Sequence, residues 1–244
     1  MTSVPIVFLP GLMCDDAVWS AQQASLAESA SCHVVDYGDR DSLPAMANLV
    51  LAQASSRFIL VGHSMGGRVA LEVMRIAPER VVALALLDTG YRPRLAGEAG
   101  EAEQAQRYAL LDLAKAQGMR VMGRQWLQGM VHEDRLTDTA LVDAILAMIE
   151  RKTPQIFAAQ IKALLDRPDG EPVLKAIRCP TLVMCGREDR WSPLPQHQQI
   201  AALVPGSRLA VIDRSGHMST MEQPDAVTAA LRTWIADTRL PSDS

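Results

Sequence analysis

Short runs of apolar residues alternate along the chain with longer segments in which apolar positions recur every three or four residues. The runs are almost continuously hydrophobic, as is typical of strands buried on both faces of a parallel sheet. They lie at residues 5–9, 32–37, 58–62, 81–88, 181–186 and 208–213. The intervening segments carry helix-capping patterns, such as Ser42 with Pro44 and Ser192 with Pro193. Repeated strand–helix units of this kind predict a doubly wound α/β sheet with helices on both faces.

Residues 91–167 interrupt this alternation, because they contain helical patterns and no convincing strand. They follow the fourth predicted strand, and we expect them to form a helical lid over the carboxyl edge of the sheet. The core then consists of residues 1–90 and 168–244. Four apolar side chains of the lid are predicted to line an acyl pocket: Met122, Trp126, Met130 and Met148. Plain core packing is the alternative explanation of this methionine-rich stripe.

The composition limits the classes of partner. The chain has 244 residues, of which 48% are hydrophobic and 21% charged, as in a globular protein with one sizeable core. Its formal net charge is −4 without a Lys/Arg cluster, so neither nucleic acid nor a membrane surface is expected as a partner. There is no apolar run of about 18 residues and no basic segment of a secretory signal at the start. With four scattered cysteines, these features predict a cytoplasmic protein with reduced thiols, acting on a small-molecule substrate.

The sequence Gly62-His63-Ser64-Met65-Gly66 joins a predicted strand to a predicted helix. A reversal this tight holds its central residue in a strained conformation, with the side chain exposed at the carboxyl edge of the sheet. Glycine two residues before and two residues after the serine avoids steric collision within the turn. The N-terminus of the following helix favours developing negative charge. The turn therefore presents Ser64 as a nucleophile.

A serine hydroxyl needs a general base, and we expect His217 to supply it, because it follows the last predicted strand at the same sheet edge. Asp189 follows the strand at 181–186 and is predicted to orient the histidine. Asp88, at the end of an earlier strand, is the second choice for this carboxylate. The remaining histidines are predicted to be core or surface residues: His33, His63, His132 and His197.

Acyl transfer also requires N–H donors for the oxyanion of the tetrahedral intermediate. The backbone N–H of Met65 belongs to the turn itself. We expect the second donor to be the N–H of Leu12, in the loop after the first strand, where Gly11 allows a tight turn.

At these residues the chain resembles the α/β-hydrolase family, in particular small bacterial esterases and hydrolases that carry a cap. The similarity runs through residues 8–19, 60–70, 182–189 and 211–217 and misses only the predicted lid. It implies the α/β-hydrolase fold with a reduced, mainly parallel sheet of about six strands, and no cofactor or metal. The site residues that it implies are the triad Ser64, Asp189 and His217 and the oxyanion donors Leu12 and Met65. One departure is Leu9-Pro10-Gly11, where many relatives begin this loop with His-Gly; the backbone donor does not need that histidine.

The predicted reaction is hydrolysis of small to medium carboxylic esters through an acyl-enzyme on Ser64. The same groups can cleave a lactone, a thioester or a carbon–carbon bond next to a carbonyl, so these substrates are alternatives. A ligand sensor that uses the scaffold without turnover is an alternative from a different class. A hydroxynitrile lyase is a further alternative, with Lys162 as the lid lysine near the pocket. A haloalkane dehalogenase is disfavoured, because it needs a carboxylate in place of the serine.

Overall fold

A computed structural model describes residues 4–238, which contain one six-stranded sheet in the order β2-β1-β3-β4-β5-β6. All neighbouring strands are parallel. The strands are β1 (Ile6–Leu9), β2 (Cys32–Val34), β3 (Phe58–His63), β4 (Val81–Leu87), β5 (Thr181–Gly186) and β6 (Arg208–Ile212). The predicted six-stranded parallel sheet is therefore confirmed.

Eleven α-helices lie in the described part of the chain. The helices before β5 are α1 (Ser20–Leu26), α2 (Leu43–Gln53), α3 (Met65–Ile76), α4 (Glu98–Gln117), α5 (Met119–Leu127), α6 (Thr139–Glu150), α7 (Pro154–Leu165) and α8 (Glu171–Ala176). Those after β5 are α9 (Leu194–Leu203), α10 (Ser219–Glu222) and α11 (Pro224–Asp237). Ser42 caps α2 as predicted, by accepting the N–H of Ala45. The predicted cap at Ser192 is wrong, because this residue belongs to the turn after β5, where its N–H donates to Asp189.

Two groups of helices cover the sheet. Every residue of β3, β4 and β5 is buried, which requires cover on both faces. One group is the pair α1 and α11, and the other runs from α2 through α3 and α8 to α9. The edge strand β2 is shorter than predicted, because only its residues Cys32–Val34 pair with β1.

Helices α4 to α7 separate β4 from β5 and lie within residues 91–167. They contact one another through the pairs α4–α5, α5–α6 and α4–α7, whereas α8 packs against α3 and α9. Among residues 4–238, no helix combines the length and hydrophobicity that crossing a bilayer requires.

The strand order creates a crevice at the carboxyl edge of the sheet. The chain leaves β1 for the edge strand β2 and then returns to β3 on the other side of β1. Loops that follow β1 and β3 therefore diverge, and such switch points are where parallel α/β sheets bind ligands.

Candidate active site

Ser64 is the single residue between the end of β3 and the start of α3. Its φ of 54° and ψ of −117° lie in a region that non-glycine residues rarely adopt, which costs about 1–3 kcal/mol. The surrounding backbone holds it there: the N–H of Ser64 donates to the carbonyl of Leu87 at 2.9 Å. The hydroxyl of Thr89 donates to the Ser64 carbonyl at 2.6 Å. The residues that end β4 therefore enforce the strained turn.

The glycines on either side of Ser64 are required by close backbone approach. A Cβ atom at Gly62 would lie 2.5 Å from the carbonyl oxygen of Gly66. A Cβ atom at Gly66 would collide with the carbonyl of Leu9 at the end of β1. The start of α3 thus packs directly on the end of β1, which brings Ser64 to the switch point between β1 and β3.

A chain of hydrogen bonds connects the three side chains predicted as a triad. Ser64 Oγ lies 2.7 Å from Nε2 of His217, and Nδ1 of His217 lies 2.8 Å from Oδ2 of Asp189. The other carboxylate oxygen of Asp189 accepts the N–H groups of Trp191 at 2.8 Å and Ser192 at 2.9 Å. Because the carboxylate can only accept, the imidazole carries its proton on Nδ1 and leaves Nε2 free to accept from Ser64.

Burial and charge shift the pKa values of His217 and Asp189 in opposite directions. Burial by itself lowers the pKa of His217, but the charge and hydrogen bond of Asp189, with smaller contributions from Asp88 and Glu222, raise the pKa above its ordinary value of 6.5. Burial raises the pKa of Asp189, yet the imidazole and the two backbone N–H donors lower it overall. The site therefore favours an imidazolium beside a carboxylate, which is the state that follows proton transfer from the serine.

Asp88, the second-choice carboxylate, lies deeper. Its hydrogen bonds within residues 4–238 come from the N–H of Gly186 at 2.8 Å and from the hydroxyl of Ser219, rather than from His217. Its Oδ2 is 3.7 Å from Nε2 of His63. Burial, and then the charge of Asp189, raise the pKa of Asp88 well above its ordinary value. A carboxyl group with this environment resists ionisation and is poorly suited to stabilise an imidazolium.

Leu12 and Met65, whose N–H groups are the predicted oxyanion donors, line the same cavity as Ser64. Neither the N–H of Leu12 nor that of Met65 donates to an acceptor in the described part of the chain. The next residue of the first loop, Met13, adopts a φ of 61°, and its N–H donates to Oε1 of Gln160 on α7 at 2.9 Å. Helix α7 thus fixes the backbone beside the Leu12 donor.

A cavity of about 590 Å³ opens onto Ser64 and His217. Trp126 and Met130 line it, as predicted for the acyl pocket. Met122 and Met148 are buried elsewhere and do not line it, so this part of the prediction is corrected. The physical reason is that α5 packs between α4 and α6, and the cavity reaches only the C-terminal end of α5.

A family model described as the alpha/beta hydrolase family matches residues 6–230. The chain belongs to the alpha/beta hydrolase family. This hydrolase is 27% identical over 191 residues to the pimeloyl-[acyl-carrier protein] methyl ester esterase of Aromatoleum aromaticum, in a match that covers 75% of this chain and 76% of the relative. It is 30% identical over 182 residues to the 2-hydroxy-6-oxo-6-phenylhexa-2,4-dienoate hydrolase of Burkholderia cepacia, covering 73% of this chain and 62% of that one.

Among solved structures, the hydrolase is similar to a thermophilic esterase from Thermogutta terrifontis. The TM-score is 0.84 at 27% identity, and the match covers 96% of this chain and 90% of the esterase. With the family match and the hydrolase relatives, this similarity identifies the chain as an enzyme of the hydrolase class.

His63 is a residue of the site that the sequence analysis assigned only to core or surface. Its Nε2–H donates to the backbone carbonyl of His217 at 2.8 Å, so it supports the loop that carries the imidazole. Burial, and then the neighbouring His217, lower the pKa of His63 to about 3, so it remains neutral. Its position next to Ser64 in the chain indicated that His63 lies near the site. The sequence pattern could not predict its hydrogen bond to a backbone carbonyl 154 residues away.

Glu222 is a second residue of the hydrolase that the sequence did not indicate. Its buried carboxylate accepts the N–H of His132 at 2.7 Å and the N–H of Gly216 at 3.0 Å. Burial raises its pKa above the ordinary value. The N–H of His217 itself donates to the carbonyl of Met130 at 2.7 Å. The histidine loop is therefore bonded directly to the segment that follows α5.

Cys14 also lines the cavity, but it is unsuited to nucleophilic attack. Burial, and then the charge of Asp15, raise the pKa of its thiol to about 12, which keeps the thiol protonated at neutral pH. Across residues 4–238 of the hydrolase, His, Cys, Asp and Glu side chains do not form a group of three that could hold a metal ion.

Proposed function

We propose that this hydrolase cleaves small to medium carboxylic esters through an acyl-enzyme on Ser64. The observation that carries this function is the continuous hydrogen-bond chain from Ser64 Oγ through His217 to Asp189, at 2.7 Å and 2.8 Å, on the wall of an open cavity. Two of its similar proteins, the methyl ester esterase and the thermophilic esterase, are named for ester cleavage.

In the first half of the reaction, Ser64 Oγ attacks the ester carbonyl while Nε2 of His217 takes the hydroxyl proton. Asp189 accepts from Nδ1–H throughout and stabilises the imidazolium by its charge. The N–H groups of Leu12 and Met65 donate to the oxyanion that forms on the carbonyl oxygen. The imidazolium then protonates the leaving alkoxide, and the alcohol departs from a Ser64 acyl-enzyme.

In the second half, neutral His217 takes a proton from water as the water attacks the acyl carbonyl. A second oxyanion forms at the same two donors, and its collapse breaks the bond to Ser64 Oγ. The imidazolium returns the proton to the serine, so the free carboxylic acid leaves and the enzyme is restored.

Residues 91–167 act as the lid of this site, and the described residues on either side, 4–90 and 168–238, act as the core; the outer ends of the predicted core, 1–3 and 239–244, lie outside the described residues. Three of the inserted helices contribute apolar cavity walls: Leu110 from α4, Trp126 from α5, and Phe157 and Leu164 from α7. An apolar wall excludes water from the acyl chain, which strengthens the oxyanion hydrogen bonds.

The same machinery supports a broader range of bonds than esters. The relative from Burkholderia cepacia is named for a dienoate substrate, so lactones, thioesters and carbon–carbon bonds next to a carbonyl belong in the same substrate screen. The position of Lys162 does not support the hydroxynitrile lyase alternative, because Lys162 is exposed and its ammonium lies 3.1 Å from Asp41 Oδ2. Lys162 does not line the cavity of the described residues.

The decisive experiment is burst kinetics with 4-nitrophenyl butyrate. The wild-type enzyme should release about one equivalent of nitrophenol per site before the steady state, and a fluorophosphonate should add its mass to Ser64. Ser64→Ala should lose both signals, whereas the control Ser207→Ala, whose hydroxyl bonds to Ala201 on α9, should keep them. Saturable ligand binding without turnover or labelling would instead indicate the sensor class, and labelling that persists in Ser64→Ala would contradict the assigned nucleophile.

A further inference from the structure

The walls of the active-site cavity carry an excess of positive charge. Four arginines line it and one acidic side chain, Glu103, accompanies them: Arg68, Arg92, Arg107 and Arg167. Charged groups on a cavity wall lose part of their hydration, which costs free energy. An uncharged ester would not compensate this cost, whereas a negatively charged substrate would.

Two of the four arginines share one carboxylate, which compensates one of their two charges. Arg167 donates to both oxygens of Glu103, at 2.7 Å and 2.8 Å, and Arg107 lies 2.9 Å from the first of these oxygens. Arg92 is turned toward the side-chain oxygen of Gln199, to which it donates at 3.1 Å. These three guanidinium groups are therefore held by partners of the protein itself.

Arg68 differs from Arg107 and Arg167 in having no carboxylate partner within residues 4–238, and from the exposed Arg92 in being partly buried. Its guanidinium donates to the backbone carbonyl of Arg92 at 2.9 Å. Gly90 makes room for it, since a Cβ atom there would lie 2.6 Å from Nη2 of Arg68. Burial, and then the charges of Arg167 and Arg107, lower the pKa of Arg68 to about 9, against a smaller opposing effect of the charge of Glu103.

The position of Arg68 relates it to the reacting serine. It lies four residues after Ser64, in the first turn of α3, and both residues line the same cavity. Four residues of an α-helix rise by about 6 Å. An extended acyl chain of six carbons spans a similar length. The acyl group is the part of the substrate that remains joined to Ser64, and Arg68 is a charged group on the wall of the cavity that would hold it.

Building on the proposed ester hydrolysis, we propose that the natural substrate carries a carboxylate at the far end of its acyl chain and that Arg68 binds this carboxylate. A guanidinium without an acidic partner can hold a carboxylate through two parallel N–H donors. The reaction is otherwise unchanged: water cleaves the ester, and the acid product carries two carboxylates.

The test uses two pairs of compounds that differ only in the terminal carboxylate. The substrates are mono-4-nitrophenyl adipate and 4-nitrophenyl hexanoate, and the ligands are adipate and hexanoate. We expect kcat/KM to favour the adipate ester by about ten- to one-hundredfold, mainly through KM, since a hydrogen bond to a charged group contributes this much. Calorimetry should show the same preference for binding adipate over hexanoate, independently of turnover.

Two variants test whether Arg68 causes the preference for the terminal carboxylate. Arg68→Gln should reduce the adipate-to-hexanoate ratio toward one in both measurements, and because a ratio is measured, a general loss of activity cancels. Arg208→Gln removes an exposed arginine that pairs with Asp237 at 2.7 Å, away from the cavity, and should leave the ratio unchanged.

The outcomes separate this inference from the function on which it rests. Turnover of the hexanoate ester without preference for the adipate ester or for adipate binding would overturn the carboxylate site and leave ester hydrolysis standing. Tight adipate binding that depends on Arg68, without turnover of either ester, would support the carboxylate site and refute the hydrolysis. If Arg68→Gln does not fold, the wild-type ratios alone decide, and a ratio of one overturns the inference.

Discussion

Replacing Asp189 by Asn tests the orientation of the general base by exchanging a single carboxylate oxygen for an NH₂ group. One carboxylate oxygen of Asp189 accepts the N–H groups of Trp191 and Ser192, at 2.8 Å and 2.9 Å. In the variant these two donors hold the amide oxygen of the asparagine, so the amide NH₂ must face Nδ1 of His217. A donor at that position requires Nδ1 to accept, which moves the imidazole proton to Nε2 and leaves no acceptor for the hydroxyl of Ser64.

The size of the effect follows from the loss of both tautomer and charge. Asp189 lies 2.8 Å from the imidazole, and its contribution raises the pKa of His217 against the opposing effect of burial. A wrong tautomer in a triad of this geometry lowers kcat by about ten-thousandfold, or about 5 kcal/mol of transition-state stabilisation. The fold should be retained, because the backbone donors to the side-chain oxygen remain satisfied.

Asp88→Asn is the matched control. The amide oxygen can accept from Gly186 and the NH₂ can donate to the hydroxyl of Ser219, so both contacts of Asp88 persist. We expect kcat for a 4-nitrophenyl ester within about tenfold of the wild type, since a carboxyl group that resists ionisation is replaced by a neutral amide of the same shape. Circular dichroism and urea unfolding establish that both variants are folded. An active Asp189→Asn beside an inactive Asp88→Asn would refute the assignment of the carboxylate.

Three further predictions concern pH and packing. The value of kcat/KM for a neutral ester should rise with pH and reach half its plateau above pH 6.5, because the base must be neutral and the pKa of His217 is raised; a midpoint below pH 6.5 would contradict this. Gly66→Ala should lower the free energy of unfolding in urea by about 3 kcal/mol or more, because its Cβ meets the carbonyl of Leu9; wild-type stability would exclude this packing. The third prediction concerns His197, whose Nε2 accepts the N–H of Thr89 at 2.9 Å and whose pKa burial lowers to about 4. Below about pH 6.5 the unfolded chain binds a proton that the folded state excludes, so stability should fall toward pH 4, and less so in His197→Gln, whose amide oxygen can accept the same bond; parallel pH profiles would refute this.

The strands could be predicted from the sequence because burial on both faces of a sheet leaves a continuous apolar run. Their ends were less predictable, since they depend on neighbours that are distant in the chain. The predicted strand at 32–37 is shortened to Cys32–Val34, the only residues of it that pair with β1. Ser192 has the residue type of a helix cap, but its N–H is used by Asp189. Tertiary contacts decided both cases.

The nucleophile turn was the most predictable part of the site, because its requirements are local: a strand, a helix and small residues around Ser64. The topology brings His217 and Asp189 to the same edge, and the structure joins all three by hydrogen bonds. The supporting roles of His63 and Glu222 could not be predicted, because their partners are backbone atoms of distant segments.

Helical periodicity was also insufficient to predict which side chains line the pocket. It identifies a side of the helix that is buried, but it does not distinguish a face that lines a cavity from one that packs on another helix. Met122 and Met148 have the second environment, whereas Trp126 and Met130 have the first.

The bonds from Met130 and Glu222 to the histidine loop have a consequence for engineering this enzyme. A displacement of about 1 Å at a reacting group can cost about a hundredfold in rate. The carbonyl of Met130 accepts the N–H of His217 at 2.7 Å. Replacing the inserted helices by those of another protein would therefore displace the imidazole of His217 and lower the rate, even if the new helices enclosed the substrate well. Chimeras exchanged among relatives should therefore keep the junction around residues 130–132 intact and recombine only the helices on either side of it.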